Sequence, residues 1–279
     1  YGVIDPTDRL YGADPTGVAD STAALQAASN ALYALASFQP GGVSSNISTQ
    51  HAYDMPPGRY IINAPVTFVG TQLTIKTNGA IIEQTTAGQN SFVVSAAFMV
   101  HLSGLRFASG ATQLHIYNAN LDSAVWTVEN CVFQNSSSWA IDTQSPSGDN
   151  PLSTRFVIKD SRFIANARVL RSWNDHTQVK DSWVFLLAGQ TLSNTAAFEN
   201  RGFLHFDNMF GVPPDRAVGP LTNVRWVDNY GHFIARRSRF GGENGGITPV
   251  WNFSHYEIPD PNPNMGPRVI IEDSEVFDN

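Results

Sequence analysis

A short unit recurs along this chain, and it limits the fold more than any other feature. An alternating apolar strand runs into a polar turn residue, then a small residue, then a second apolar strand. Copies stand at Val125–Phe133, Phe156–Phe163, Gln178–Val184, Phe203–Phe210, Phe233–Phe240 and Val269–Val276, with a weaker one at His101–Phe107. The turn positions read as Gly104, Asn130, Asp160, Asp181, Asp207, Arg237 and Asp273, separated by 21 to 36 residues. A unit this short cannot bury its own apolar face, so neighbouring units must stack on one another. Three short strands and three turns take roughly 20–30 residues, which is one coil of a solenoid. The uneven spacing places extra residues in loops. Gly, Asn and Asp tolerate the left-handed backbone of a sharp turn. Arg237 departs from that rule, and Asp228 offers a competing register there. The recurrence also assigns Asp160, Asp181, Asp207 and Asp273 to turns rather than to chemistry.

Composition agrees with an all-β chain. Charged residues are only 15% of 279, while Gly, Ser, Thr and Asn abound. That suits many short strands joined by polar turns. A formal charge of −7 argues against a nucleic-acid partner, because phosphates need a basic footprint. The basic cluster Arg236, Arg237 and Arg239 reads as a local ion-pair site. The single cysteine, Cys131, excludes an intramolecular disulfide and reads as a small buried hydrophobe. No run is long and apolar enough for membrane insertion. No leader pattern is visible, and the sequence stops at Val276–Asn279 within a strand-like pattern, which reads as a piece of a longer chain. The glycine-rich stretch 240–246 lacks the Lys-Ser/Thr of a phosphate loop, and the histidines lack metal-ligand spacing.

The N-terminal part reads differently. Asp14-Pro15 and Gly17 are turn chemistry. Asp20 or Ser21 is placed to cap a helix, and Ala24, Leu25, Ala28, Ala31, Leu32 and Leu35 form its apolar stripe. The polar stretch 39–52 reads as a loop, and Met55–Ile62 as a turn and a strand. Tyr11–Ala27 and Pro56–Tyr60 resemble the opening of the pectate-lyase-like β-helix superfamily, which includes polygalacturonases, fungal exo-glucanases and phage tailspike depolymerases. The resemblance implies a right-handed parallel β-helix over residues 55–279. Residues 1–54 would form an N-terminal segment whose helix caps the first coil. It also implies a polysaccharide partner, an extracellular or virion-associated setting, and a homotrimer around the helix axis.

The candidate site comes from laying three strands side by side: Ala140–Gln144, Val169–Trp173 and Ala197–Arg201. If Ile141, Leu170 and Phe198 point inward, the period of two sends their neighbours outward. One outward column is then Asp142, Arg171 and Glu199, the candidate catalytic residues. A parallel column is Gln144, Trp173 and Arg201, candidates for binding substrate, with Tyr117 of an earlier coil beside Asp142. Two coils separate Asp142 from Glu199 by about 9–10 Å, the upper edge of the range for inverting hydrolysis. Arg171 between them favours ionised carboxylates. Trp173 is a flat apolar surface for a sugar ring, and the arginines suit the carboxylates of an acidic glycan. Asp175 and His176 follow Trp173 and are expected in a loop over the groove. Ladders of alternating charge also occur on solvated sheets for register alone.

No Asp-Asp pair, Gly-His-Gly or Arg-x-Lys of the polygalacturonases stands in the sequence, and no cluster of acids marks a calcium site. The resemblance therefore carries the fold and a polysaccharide theme, and no catalytic residue. The leading expectation is a depolymerase without a cofactor, hydrolase ranked above lyase. Calcium would be expected only of a lyase. The alternative is a non-catalytic β-helix that binds a glycan or spaces other domains, as in a tail fibre, tailspike or adhesin.

Overall fold

The computed structural model describes residues 3–37, 52–69, 72–95, 98–117, 124–146, 154–186, 196–212, 224–242, 247–252 and 268–278. Three all-parallel sheets hold 10, 10 and 8 described strands. Each coil gives one strand to each sheet in turn. Ala124–Glu129, Val132–Gln134 and Ser136–Asp142 make one coil, and Thr154–Lys159, Arg162–Ile164 and Arg168–Ser172 make the next. Within each sheet a strand pairs with its counterparts one coil before and one coil after, and the two end strands with one counterpart only. The chain is a right-handed parallel β-helix.

The core consists of columns, because parallel register places one inward residue of each coil on the next. Leu102, Val128, Ile158, Val179, Phe206 and Ala235 form such a column and are fully buried. In the second sheet Phe107, Phe133 and Phe163 stack with ring centres 5.2 Å apart, close to the strand spacing. Each such ring contributes about 1.5–3 kcal/mol by leaving water.

The turn between the first and second sheets repeats in each described coil from Gly104 onward. Positive φ occurs at Gly104 (77°), Asn130 (51°), Asp160 (52°), Asp181 (48°), Asn208 (56°), Arg237 (49°) and Asp273 (48°). The expected Asp207 is therefore off by one. Asp207 ends the strand Phe203–Asp207, and Asn208 takes the left-handed position. Two adjacent turn-forming side chains made the pattern ambiguous there. Arg237 does hold the turn, and Asp207 accepts hydrogen bonds from its guanidinium, which anchors a residue ill suited to that backbone. Asp228 lies in a third-sheet strand, which removes the competing register. After four of these turns comes a buried small residue. Ser161, Ser182 and Ser238 each donate to the carbonyl two residues back and accept an N–H from the preceding coil. Cys131 occupies the same position. Its thiol donates to Glu129 O at 3.2 Å, and burial pushes its pKa up to about 12.

The corner from the third sheet back to the first is tight at three successive coils. Asn200 and Asn229 are fully buried there. Asn200 Nδ2 donates to Asn229 Oδ1 at 2.7 Å and to His232 O at 2.9 Å, and its Oδ1 accepts Gly202 N–H at 3.1 Å. A Cβ on Gly202 would stand 1.9 Å from Asn174 O, and one on Gly231 2.1 Å from Gly202 O. Only glycine lets the coils close at this spacing.

The N-terminal segment belongs to the same solenoid. Val3–Ile4 pairs with Ala52–Met55, and Thr16–Asp20 pairs with Gly58–Ile62. The helix is Thr22–Ser37, entered through Asp20, which accepts from Thr22 N–H at 3.0 Å. Leu25, Ala28 and Leu32 are buried against the first coils. Gln26 bonds both ways to the backbone of Thr67, and Ser29 donates to Thr67 O. These bonds satisfy the edge strand Val66–Val69 that would otherwise lie open. Residues 39–51, 243–246 and 253–267, which include nearly all of the polar stretch and most of the glycine-rich stretch, lie outside the described residues. Among the described residues no helix is long and apolar enough to cross a membrane.

Two outcomes follow. Asn200→Ala strands several buried polar groups at once and should cost about 2–4 kcal/mol in urea unfolding, whereas Asn63→Ala, at an exposed position, should stay within about 0.5 kcal/mol. Iodoacetamide at pH 8 should leave Cys131 unlabelled in the native protein and label it fully in urea; native labelling at the unfolded rate would contradict the buried, high-pKa thiol.

Candidate functional site

The outer face of the third sheet carries a run of charged residues, one per coil. Ile141, Leu170, Phe198 and Val227 are fully buried and in register. Their C-terminal neighbours point outward, so His115, Asp142, Arg171, Glu199 and Asp228 form one column. His115, not Tyr117, is the direct neighbour of Asp142. The reason is the inward turn of Leu114 and Ile116, which are both fully buried. Tyr117 stands one step along, its ring centre 4.9 Å from that of His115.

Strict alternation fails on the other side of the column. Ala140-Ile141, Val169-Leu170, Ala197-Phe198 and Trp226-Val227 are buried as consecutive pairs. The residue three before each column position then shares its face. These are Trp139, Arg168 and Arg225, which sequence alternation by two did not bring to the site.

Each carboxylate of the column is held by arginine. Asp142 is only 4% exposed. Its Oδ1 accepts from Arg171 Nε at 2.8 Å and from Gln144 N–H at 2.9 Å, and its Oδ2 accepts from Arg171 Nη2. Glu199 and Asp228 are in direct register, where like charges repel. Each is neutralised sideways instead. Glu199 Oε1 accepts from Arg201 Nε at 3.0 Å, and Asp228 forms a two-pronged pair with Arg225. That pair raises the Arg225 pKa. Burial, reinforced by Asp228 and Glu199, pushes the Tyr230 phenol up.

Aromatic rings complete the face. The guanidinium carbons of Arg168 and Arg171 lie 4.8 and 5.5 Å from the Trp139 ring centre. That of Arg201 lies 5.1 Å from Trp173 and 4.2 Å from Tyr230. Gln144 contributes its backbone: its carbonyl accepts from His115 Nε2 at 2.8 Å. The result is a checkerboard of guanidinium, carboxylate and ring, one of each per coil or two. Tyr230 and Asp228 were legible in principle, since Asp228-Asn229-Tyr230 repeats the pattern of Glu199-Asn200-Arg201 one coil on.

Asp175 and His176 do not form a loop over this face. Trp173, Asn174 and Asp175 make the tight corner, and His176 opens the first-sheet strand His176–Lys180. The short connection of this coil leaves no length for a covering loop. Among the described residues no three His, Cys, Asp or Glu side chains gather to hold a metal ion.

Removing one partner of a half-buried pair leaves the other charge exposed to a poor solvent. Asp142→Ala and Arg171→Ala should each cost about 2–3 kcal/mol, and the double variant clearly less than their sum. Glu272→Ala, whose pair with Arg236 is half exposed on both sides, should cost under about 1 kcal/mol. Additive losses at Asp142 and Arg171 in a urea double-mutant cycle would refute the coupling.

No protein-family model matches the chain, and no curated protein matches it. Solved structures do. The ORF18 protein of Geobacillus virus E2 is 11% identical with a TM-score of 0.48, over 99% of this chain and 62% of that one. Pectate lyase Pel9A is 12% identical with a TM-score of 0.46, over 88% of this chain and 71% of that one. PfbA, a surface adhesin of Streptococcus pneumoniae, is 12% identical with a TM-score of 0.38, over 99% of this chain and 90% of that one. The chain thus spans under two thirds of the phage protein's length.

Proposed function

We propose that the outer face of the third sheet binds an acidic carbohydrate polymer, outside a cell or on a virion. The observation that carries this reading is the row of guanidiniums held stiff between carboxylates and rings. Arg171 and Arg201 are 27% and 18% exposed, and each is fixed by an acid on one side and an aromatic ring on another. A pre-oriented guanidinium loses little entropy when it meets a sugar carboxylate in a two-pronged contact. Trp173 and Tyr230 supply flat apolar surface beside it. A chain with a net charge of −7 is poorly suited to nucleic acid, so the local arginines select a small, spaced anion such as a uronate.

Cleavage is the second reading, favoured by the two-coil separation of Asp142 and Glu199, about 9–10 Å. In that reading Glu199, one-fifth exposed, is the carboxylate that meets water or sugar. Asp142, with both oxygens occupied by its own neighbours, positions Arg171. Both oxygens of Asp142 and Oε1 of Glu199 are already taken up by neighbours within the chain, which leaves little carboxylate free to act on a sugar. Binding without cleavage is therefore ranked first. An eliminating enzyme would use Arg171 or Arg201 to neutralise the uronate.

The test is retention of polygalacturonate, alginate, hyaluronate and neutral dextran, followed for new reducing ends and for the ultraviolet absorbance of an unsaturated uronate. The expected result is retention of at least one acidic polymer over dextran, weakened about tenfold in Arg201→Ala, without products. Products lost in Glu199→Gln would establish cleavage. Equal retention of acidic and neutral polymers would overturn the reading.

A further inference from the structure

The first sheet carries a second row that the candidate site does not use. Arg155, His176, Phe203, His232 and Arg268 follow one another on its outer face, one per coil. The His176 and Phe203 rings stack with centres 5.3 Å apart and planes 26° apart, and His232 follows Phe203 at 5.6 Å and 33°. The rings are half-buried, and the two arginines at the ends of the row are exposed. Beside Phe203 and His232 lies a hollow of about 340 Å³, floored by Ile234 and Ile270 and walled by Arg268.

The charge of this row is one-sided. Neither its five residues nor the adjoining outward column, from Val157 through His205 to Ile270, contains an acid. Neither Arg155 nor Arg268 has an acidic partner among the described residues. This stands out on a chain of net charge −7 and against the third-sheet face, where every acid is matched. A sheet face meant only for water has no reason to stack rings and end them in guanidiniums that meet no acid among the described residues.

We infer that this row is a second binding row for a carboxylated polysaccharide, parallel to the helix axis, with sugar faces on the rings and carboxylates at Arg155 and Arg268. The inference rests on the acidic-glycan reading of the molecule and extends it to a separate face. The ring centres follow the helix axis one per coil, 5.3 and 5.6 Å apart, and so present a continuous row to an extended polymer. The corner that joins the two faces supports the placement. Trp173 leads to His176, Arg201 to Phe203 and Tyr230 to His232 within two or three residues. Gly202 and Gly231 keep that corner too tight for any side chain between them. The two rows therefore run side by side along a single ridge.

The experiment measures binding of defined oligogalacturonates, oligoalginates and hyaluronan oligosaccharides, with their methyl esters, by calorimetry on the full chain. It compares Phe203→Ala, Arg155→Ser/Arg268→Ser and Arg201→Ala, with Trp183→Ala on the second sheet as a control for an exposed ring (46% exposed). Expected is a residual affinity in Arg201→Ala that falls a further tenfold or so when Phe203→Ala is added. The arginine double variant should do the same without altering the unfolding curve. Trp183→Ala should change nothing. A loss confined to Arg201→Ala overturns the second row and leaves the third-sheet reading standing. A loss confined to Phe203→Ala and the arginine variant does the reverse. Equal binding of methyl esters, or no binding of any of these oligosaccharides, overturns the inference. So does a Phe203→Ala effect seen only as a change in sedimentation, which would make the row a contact between copies.

Discussion

Every feature of this molecule depends on one requirement: each coil's backbone groups must be satisfied by the coils above and below. Strands in all three sheets pair only with their counterparts in neighbouring coils. That fixes the spacing of coils and forces side chains into columns, inward and outward alike. The inward columns become the core, including the ring stack Phe107, Phe133 and Phe163. The outward columns become places where chemistry can gather. The same requirement leaves an open edge at the first coil, which Gln26 and Ser29 of the N-terminal helix close at Thr67.

Columns impose their own electrostatics. Asp142, Arg171 and Glu199 alternate in sign, but Asp228 follows Glu199 and breaks the alternation. The face resolves this sideways, with Arg201 and Arg225 each taking one of the two acids. The arginines thereby become rigid, and rings on their other side keep them so. A stiff guanidinium is a good receptor for a carboxylate.

The tight corner decides how faces relate. Asn200 and Asn229 bond across coils, and Gly202 and Gly231 let the backbones close to contact. With no room for a loop, His176 cannot lie over the third-sheet face and instead begins the first sheet. Its stacking on Phe203 creates a row on a face where the sequence suggested none.

The recurring strand–turn–strand unit determined the solenoid, the column Asp142–Arg171–Glu199, the helix at the first coil and the buried position of Cys131. These were legible because period-two alternation and turn chemistry are local properties of a chain. What only the tertiary structure decided were matters of one residue or one neighbour. Asn208 rather than Asp207 takes the turn, since two turn formers stand together. His115 rather than Tyr117 faces Asp142, and Trp139, Arg168 and Arg225 join the face because consecutive residues are buried before each column. The ion-pair partners of Glu199 and Asp228 depend on which charges meet across coils. A sequence states which side chains alternate. Which of them touch is set by the register between coils, and that register is a property of the packed solenoid.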